Sequence, residues 1–251
     1  MMNNKAILKY FPNAVDGHKL TVDVADFLMK NHQLTPKNTL FGYSTCPDEI
    51  NRTVTRFESC YGEKQFPLGG LTGYPFTGKT GFHAFSHHVP DAEGEGNIVV
   101  LYGPHVGISE KGELGKVQRE NQSHESAACG AAIDFLNKCI DFKKKSKIYA
   151  PYEDYLDEEQ YLIEKMLMPY SERIISAQNP IKELVDVNYQ LIDENILKLI
   201  ADLRQSFKGK IVLVGGVMIN TSPEHHGCFD LKRFEMCHDG TKERLEFRRE
   251  L

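Results

Sequence analysis

The chain lacks tryptophan, carries only six cysteines in 251 residues, and contains no apolar run long enough to cross a bilayer. Its longest apolar run, Ile211 to Ile219, is strand-sized, well short of the roughly 18 residues a spanning helix needs. Cysteines this sparse do not make a disulfide scaffold, so the thiols read as free, metal-bound or reactive in a reducing cytoplasm. The opening Met1-Met2-Asn3-Asn4-Lys5 has no apolar core, so no signal peptide is expected. A basic block is missing too. With 30 Lys+Arg against 35 Asp+Glu, the formal net charge is -5, which leaves no electrostatic footprint for nucleic acid. There is no internal repeat and no low-complexity tract. At 41% hydrophobic and 26% charged residues, what remains is a globular composition, long enough for one domain over 1–251.

Short apolar segments alternate with helical ones. Residues 18–32 read as a helix that ends before Pro36, and 39–45 (TLFGYST) as a buried strand. Pro47 followed by two acids predicts a helix from the Cys46 turn to about Tyr61, because proline fits a first turn and carboxylates favour the positive end of the helix dipole. The glycine-dense stretch 62–81 reads as an ordered loop lining something, followed by a short helix over 81–89. Residues 97–102 (NIVVLY) and 210–220 (KIVLVGGVMIN) read as core strands. Helices are expected over 123–142 and 181–207, and an antiparallel edge strand over 229–236. Strands separated by helices predict an α/β fold, an open and mostly parallel sheet with flanking helices. Ligands in such sheets sit beyond the carboxyl ends of the strands. Cys46-Pro47-Asp48 and Gly103-Pro104-His105 both fall there.

Two signals compete. Gly73-Tyr74-Pro75-Phe76-Thr77-Gly78-Lys79-Thr80 matches G-x-x-x-x-G-K-T, which would cradle nucleotide phosphates on backbone N–H groups and Lys79. That loop requires a strand before it, and Pro67 with Gly69-Gly70 makes a poor one. A close-packed glycine loop is the plainer explanation. The second signal is Cys46, His105 and Cys129, each at the end of an element. No local zinc spacing links them, and a lone cysteine is often a small core residue. Yet Cys46 and His105 end strands on one side of the sheet, and Cys129 stands near a helix start, where the dipole favours a thiolate. Asp48 and Arg52, four apart on the expected helix, would share a face, either as a surface ion pair or as an oriented carboxylate beside a metal thiolate.

These residues, with Gly69-Gly70-Leu71-Thr72-Gly73-Tyr74-Pro75-Phe76, Gly81-Phe82, His88-Val89-Pro90-Asp91, Tyr102 to Gly107, Cys129-Gly130 and Val214 to Thr221, resemble the limiting-CO2-inducible B/C family. That family is a divergent group of β-type carbonic anhydrases. The resemblance covers nearly the whole chain. It implies a β-carbonic-anhydrase-like fold, a homodimer, and a zinc held by Cys46, His105 and Cys129. It also implies an Asp–Arg dyad, here Asp48 and Arg52. The implied reaction is reversible hydration of CO2 to bicarbonate, with zinc-bound hydroxide as nucleophile. An apolar pocket for CO2 is expected from Leu71, Tyr74, Phe76 and Phe82, and a proton relay from His88 or His124. Two other functions stay open: a catalytically silent zinc-binding or assembly protein in inorganic-carbon handling, and a P-loop nucleotide binder through Gly73–Thr80. A second zinc cluster from His225, His226, Cys228, Cys237 and His238 is also weighed against ordinary strand ends.

Overall fold

The structure, a computed structural model, describes residues 4–51, 57, 59–62, 64–91, 95–222 and 227–246. Helix α1 (Asn4–Tyr10) and the short β1 (Val15–Asp16) lead into α2 (Gly17–His32). Then come β2 (Thr39–Ser44), β3 (Gln65–Pro67), α3 (Gly78–His87), β4 (Asn97–Tyr102) and β5 (His105–Gly107). A hairpin of β6 (Lys116–Gln118) and β7 (Glu125–Ala127) precedes α4 (Gly130–Lys144), α5 (Glu158–Leu167), α6 (Ser171–Ser176) and α7 (Pro180–Leu203). The chain closes with β8 (Ile211–Asn220), β9 (Cys228–His238) and β10 (Thr241–Arg244).

Among the described residues, eight strands form one sheet in the order β1-β9-β8-β4-β2-β3, with β10 added to β9 and β5 to β8. The strands β3, β2, β4 and β8 run parallel, and β9 is antiparallel to β8. This is the expected α/β class. Strand β4 shows why the sheet is buried on both faces. Ile98, Val100 and Tyr102 pack with Phe82, Phe85 and the α7 residues Ile192 and Ile196, while Val99 and Leu101 face Leu20, Val24 and Leu28 of α2. Period-2 alternation thus feeds two cores from one strand, as parallel strands between helical layers require. No helix among the described residues is long and apolar enough to cross a membrane.

Helix α2 starts where Asp16 accepts hydrogen bonds from the His18 and Lys19 N–H groups, both at 2.9 Å. Other boundaries depart from expectation. Residues 47–51 form no helix: the Asn51 N–H donates to the Asp48 carbonyl, closing a turn, and both flanking side chains are drawn into the site below. Glu125–Ala127 is a strand, so the helix expected from residue 123 begins at Gly130, with Cys129 itself at the cap position. Strand β9 is not an edge, because β1 and β10 both pair with its outer side.

Helix α7 is tied to the sheet by one half-buried carboxylate. Asp193 accepts a hydrogen bond from Tyr102 Oη at 2.6 Å and a two-pronged one from Arg233 Nε and Nη2 at 2.7 and 2.8 Å. Burial would raise the Asp193 pKa, but the Arg233 and Tyr102 hydrogen bonds outweigh it and hold the carboxyl below its ordinary value. A depressed folded-state pKa contributes stability above the unfolded carboxylate pKa of about 4, lost as pH falls through the folded value. Asp193→Asn should therefore be less stable than wild type at neutral pH, and the gap should narrow below about pH 4. Urea midpoints measured across that range check it. A gap that stays constant refutes this account of the pair.

Candidate metal centre

Strand ends build the site, and a break in one strand places its histidine. Strand β4 pairs with β8 as far as Tyr102 opposite Gly215, and β5 resumes on the same strand with His105 opposite Met218. Between them the β8–β9 register shifts at Gly215/Gly216, and Gly103 detours beside it. Gly103 has φ +144°, and a Cβ there would lie 1.7 Å from the Gly216 carbonyl oxygen, so only glycine lets the chain re-enter the sheet with His105 in place. Gly73 has φ +90°, and a Cβ on it would meet the Gly103 oxygen at 2.3 Å. The glycine loop is thereby seated on the same break. Ser44 Oγ holds it there by donating to the Gly73 carbonyl at 3.0 Å.

Cys46 follows β2, His105 opens β5, and Cys129 caps α4. Their ligand atoms all lie within 4.8 Å of one another, and all three residues are buried. The sulfurs are 3.9 Å apart. Asn220, at the carboxyl end of β8, sets the histidine tautomer. Its Nδ2 donates to the Ile50 carbonyl at 2.7 Å and to Asn51 Oδ1 at 3.3 Å, so its Oδ1 must face His105 Nδ1, 2.8 Å away. An amide oxygen accepts, so Nδ1 carries the proton and Nε2 presents a lone pair. That Nε2 is buried and has no hydrogen-bond partner among the described residues. Asn51 Nδ2 completes the circuit by donating to the Cys46 carbonyl at 2.8 Å.

The thiols differ. The Cys46 hydrogen bond, followed by those from the Ala132 and Ala131 N–H groups, pulls the Cys129 pKa down against its burial. Cys46 is pushed up, first by Cys129 and then by burial.

Asp48 Oδ2 stands 3.9 Å from His105 Nε2. Its partner is Arg119, from the β6–β7 hairpin: Nη1 reaches Oδ1 at 2.6 Å and Nη2 reaches Oδ2 at 2.9 Å. Arg119 also donates from Nε to Ser126 Oγ at 2.8 Å and from Nη2 to the Ala127 carbonyl. Burial pushes the Asp48 carboxyl up, but the Arg119 fork, aided by His105 and Glu49, outweighs it and holds the pKa at about 2. Arg52 lies outside the described residues. The helical register meant to put it on one face with Asp48 is absent at Asp48 itself. Arg119 was missed because no spacing rule joins residues 71 apart. Asn220 had a readable signal, a polar residue ending an apolar strand at the level of the ligands.

The residues expected to line a CO2 pocket divide. Leu71 and Phe76 pack in the cluster that holds Cys46 and Cys129, while Phe82 is core beneath the sheet with Phe85 and Tyr102. Tyr74 leaves the cluster for the Phe82 side and lies with Phe76 at 5.1 Å between ring centroids. His124 is exposed on the β6–β7 turn, and His88 caps α3 with its ring against Phe66. The geometry removes the basis for a phosphate loop. Despite Pro67, residues 65–67 do form a strand, β3, but a 3₁₀ turn over Leu71–Gly73 separates it from the motif, and the N–H groups of Gly73, Tyr74, Phe76, Thr77 and Gly78 all donate to protein carbonyls. Lys79 is paired with Asp202 at 2.5 Å. Cys228 and Cys237 sit near opposite ends of β9 in different cores, which separates the halves of the second cluster; His225 and His226 lie outside the described residues.

Replacing Asn220 with alanine should weaken metal affinity by about 10–100-fold, the usual cost of losing a hydrogen bond behind a ligating histidine. Competition with a chromophoric chelator measures it. Unchanged affinity would show that Asn220 does not orient His105.

Fold and site together define a mixed α/β protein with two cysteines and a histidine gathered as a metal-type centre at the carboxyl edge of its sheet. The chain belongs to the family of limiting CO2-inducible proteins B/C, β-carbonic anhydrases, whose profile matches residues 16–238. Among solved structures it is similar to PtLCIB4, a homologue of the limiting CO2-inducible protein LCIB, at 29% identity and a TM-score of 0.86, over 96% of this chain and 99% of the other. A point mutant of PtLCIB4 matches at 30% identity and a TM-score of 0.80, over 97% and 99% of the two chains. LCIB itself matches at 20% identity and a TM-score of 0.72, over 98% and 99%, a likeness of fold. No curated protein sequence matches the chain.

Proposed function

We propose that this chain is a zinc-dependent carbonic anhydrase that hydrates CO2 reversibly to bicarbonate. The observation that carries the proposal is the convergence of Cys46, Cys129 and His105, with His105 Nε2 buried and without a hydrogen-bond partner among the described residues. The donors suit zinc. Two sulfurs each about 2.3 Å from a tetrahedral zinc stand about 3.8 Å apart, and these are 3.9 Å apart. Cys46, Cys129 and His105 would hold the ion and leave a fourth position for chemistry.

Zinc, when bound, supplies Lewis acidity that lowers the pKa of water toward neutrality. The protein's own residues do the rest. Asp48, kept ionised by Arg119, accepts a hydrogen bond from the attacking oxygen and leaves a lone pair directed at the CO2 carbon. Arg119 fixes the carboxylate through two parallel hydrogen bonds, which sets its angle as well as its charge. Leu71 and Phe76 give an apolar flank suited to a small apolar substrate. The proposal includes a homodimer, for which exposed Ile148, Tyr152, Tyr155 and Leu156 offer apolar surface.

Stopped-flow CO2 hydration by zinc-reconstituted protein tests it. A rate well above background, with about one zinc per chain, is expected. One zinc per chain with a background rate overturns the catalytic proposal and selects a silent zinc protein instead.

A further inference from the structure

A cavity lies between the Tyr74–Lys79 turn, α5 and α7, and shares Phe76 with the cluster that holds Cys46 and Cys129. Its volume is about 460 Å³, within the range of small-molecule sites. Tyr74, Phe76, Leu162, Met166 and Leu199 give it apolar walls. Its polar groups are few. Asn195, whose Nδ2 donates to the Leu191 carbonyl at 2.9 Å, lines one side, and Lys79 and Lys198 line it as well. No acidic residue lines it. Lys79 spends its charge on Asp202, but Lys198, exposed on α7, makes no ion pair with another described residue. The sequence motif around Lys79 therefore has a different use from the one its spacing suggests. The N–H groups of Gly73, Tyr74, Phe76, Thr77 and Gly78 are consumed internally, while its aromatic outer side walls this cavity.

We infer that this cleft is a ligand site for a planar organic monoanion, such as an aromatic carboxylate, with its ring between Tyr74, Phe76 and Met166 and its charge at Lys198. Size decides against the ions of the main site. The cavity holds about fifteen waters at about 30 Å³ each, so an anion of four heavy atoms leaves most of it empty. Apolar walls without a carboxylate favour an aromatic body, and an unpaired cation at the mouth favours a negative head. The inference uses neither the metal nor the reaction proposed above.

The probe is 2-naphthoate, titrated calorimetrically into the full chain. Saturable binding at one site per chain is expected. Lys198→Glu should weaken it about tenfold, since the charge at the mouth is reversed. The neutral isostere 2-naphthylmethanol should bind at least tenfold more weakly than the acid. Met166→Trp should weaken binding by narrowing the cleft; Lys198 is exposed and its variant folds, so the charge reversal decides even if the tryptophan variant does not fold. Cys46→Ser should bind like wild type. Absence of saturable binding, indifference to Lys198→Glu, or loss of binding in folded Cys46→Ser, which would put the probe at the metal centre, overturns the inference.

Discussion

Replacing His105 with alanine is expected to empty the metal centre and return CO2 hydration to the uncatalysed rate. His105 supplies the one nitrogen donor of the cluster, and its Nδ1–H anchors it to Asn220, which reaches back to the Cys46 loop through Ile50 and Asn51. Removing the ring leaves two sulfurs 3.9 Å apart and no third donor. Metal content should fall from about one ion per chain to near zero by elemental analysis. A stability readout separates metal loss from misfolding. An ion present at a hundred times its Kd stabilises the folded state by about 2.7 kcal/mol, so a chelator should lower the wild-type Tm and leave that of His105→Ala unmoved. A folded variant that keeps its zinc and its rate would show that the cluster does not coordinate through His105.

Arg119→Ala is expected to cost stability and activity together while sparing the metal. The side chains of Arg119 and Asp48 are 14% and 13% exposed, so the pair is largely shielded from solvent. Deleting one partner of such a pair leaves an uncompensated charge, a loss of about 3 kcal/mol. The hairpin also loses hydrogen bonds, since the same guanidinium holds Ser126 and the Ala127 carbonyl just before Cys129. Activity should drop about 10–100-fold, in line with the loss of a group that orients a reacting side chain. Because Arg119 touches none of the three metal donors, zinc content should remain near that of wild type. Arg119→Lys should recover part of the stability and little of the activity, because an ammonium cannot make two parallel hydrogen bonds to one carboxylate. Full activity in folded Arg119→Ala would remove Arg119 from the site and return attention to Arg52.

Much of this arrangement was legible in the chain. The core strands at 97–102 and 211–220 stand where apolar runs bounded by polar breaks place them, because a strand buried on both faces has almost no polar positions. Cys46 and His105 were visible as polar punctuation after such runs. The helix expected from Pro47 to about Tyr61 is helical at 57 and 59–61, but its expected start is not, because local preference met a stronger demand. Asp48 and Asn51 bind Arg119 and the Cys46 carbonyl instead of serving a helix start. The helix expected from residue 123 starts late, at Gly130, because its first residues pair in the hairpin that carries Arg119 to Asp48. Phe82, read as a pocket residue, is core because α3 turns that ring under the sheet.

By itself the sequence determined the α/β layering and the level of the site, since hydrophobic period and strand-end chemistry act over a few residues, and Cys46, His105 and Cys129 stood out as a set only through the family resemblance. Tertiary structure alone decided which guanidinium meets Asp48, which amide orients His105, and that a nucleotide-like glycine motif walls a cleft. Those outcomes depend on groups brought together from segments up to 170 residues apart. An ion pair or hydrogen bond depends on distance in space, and no pattern along the chain encodes it.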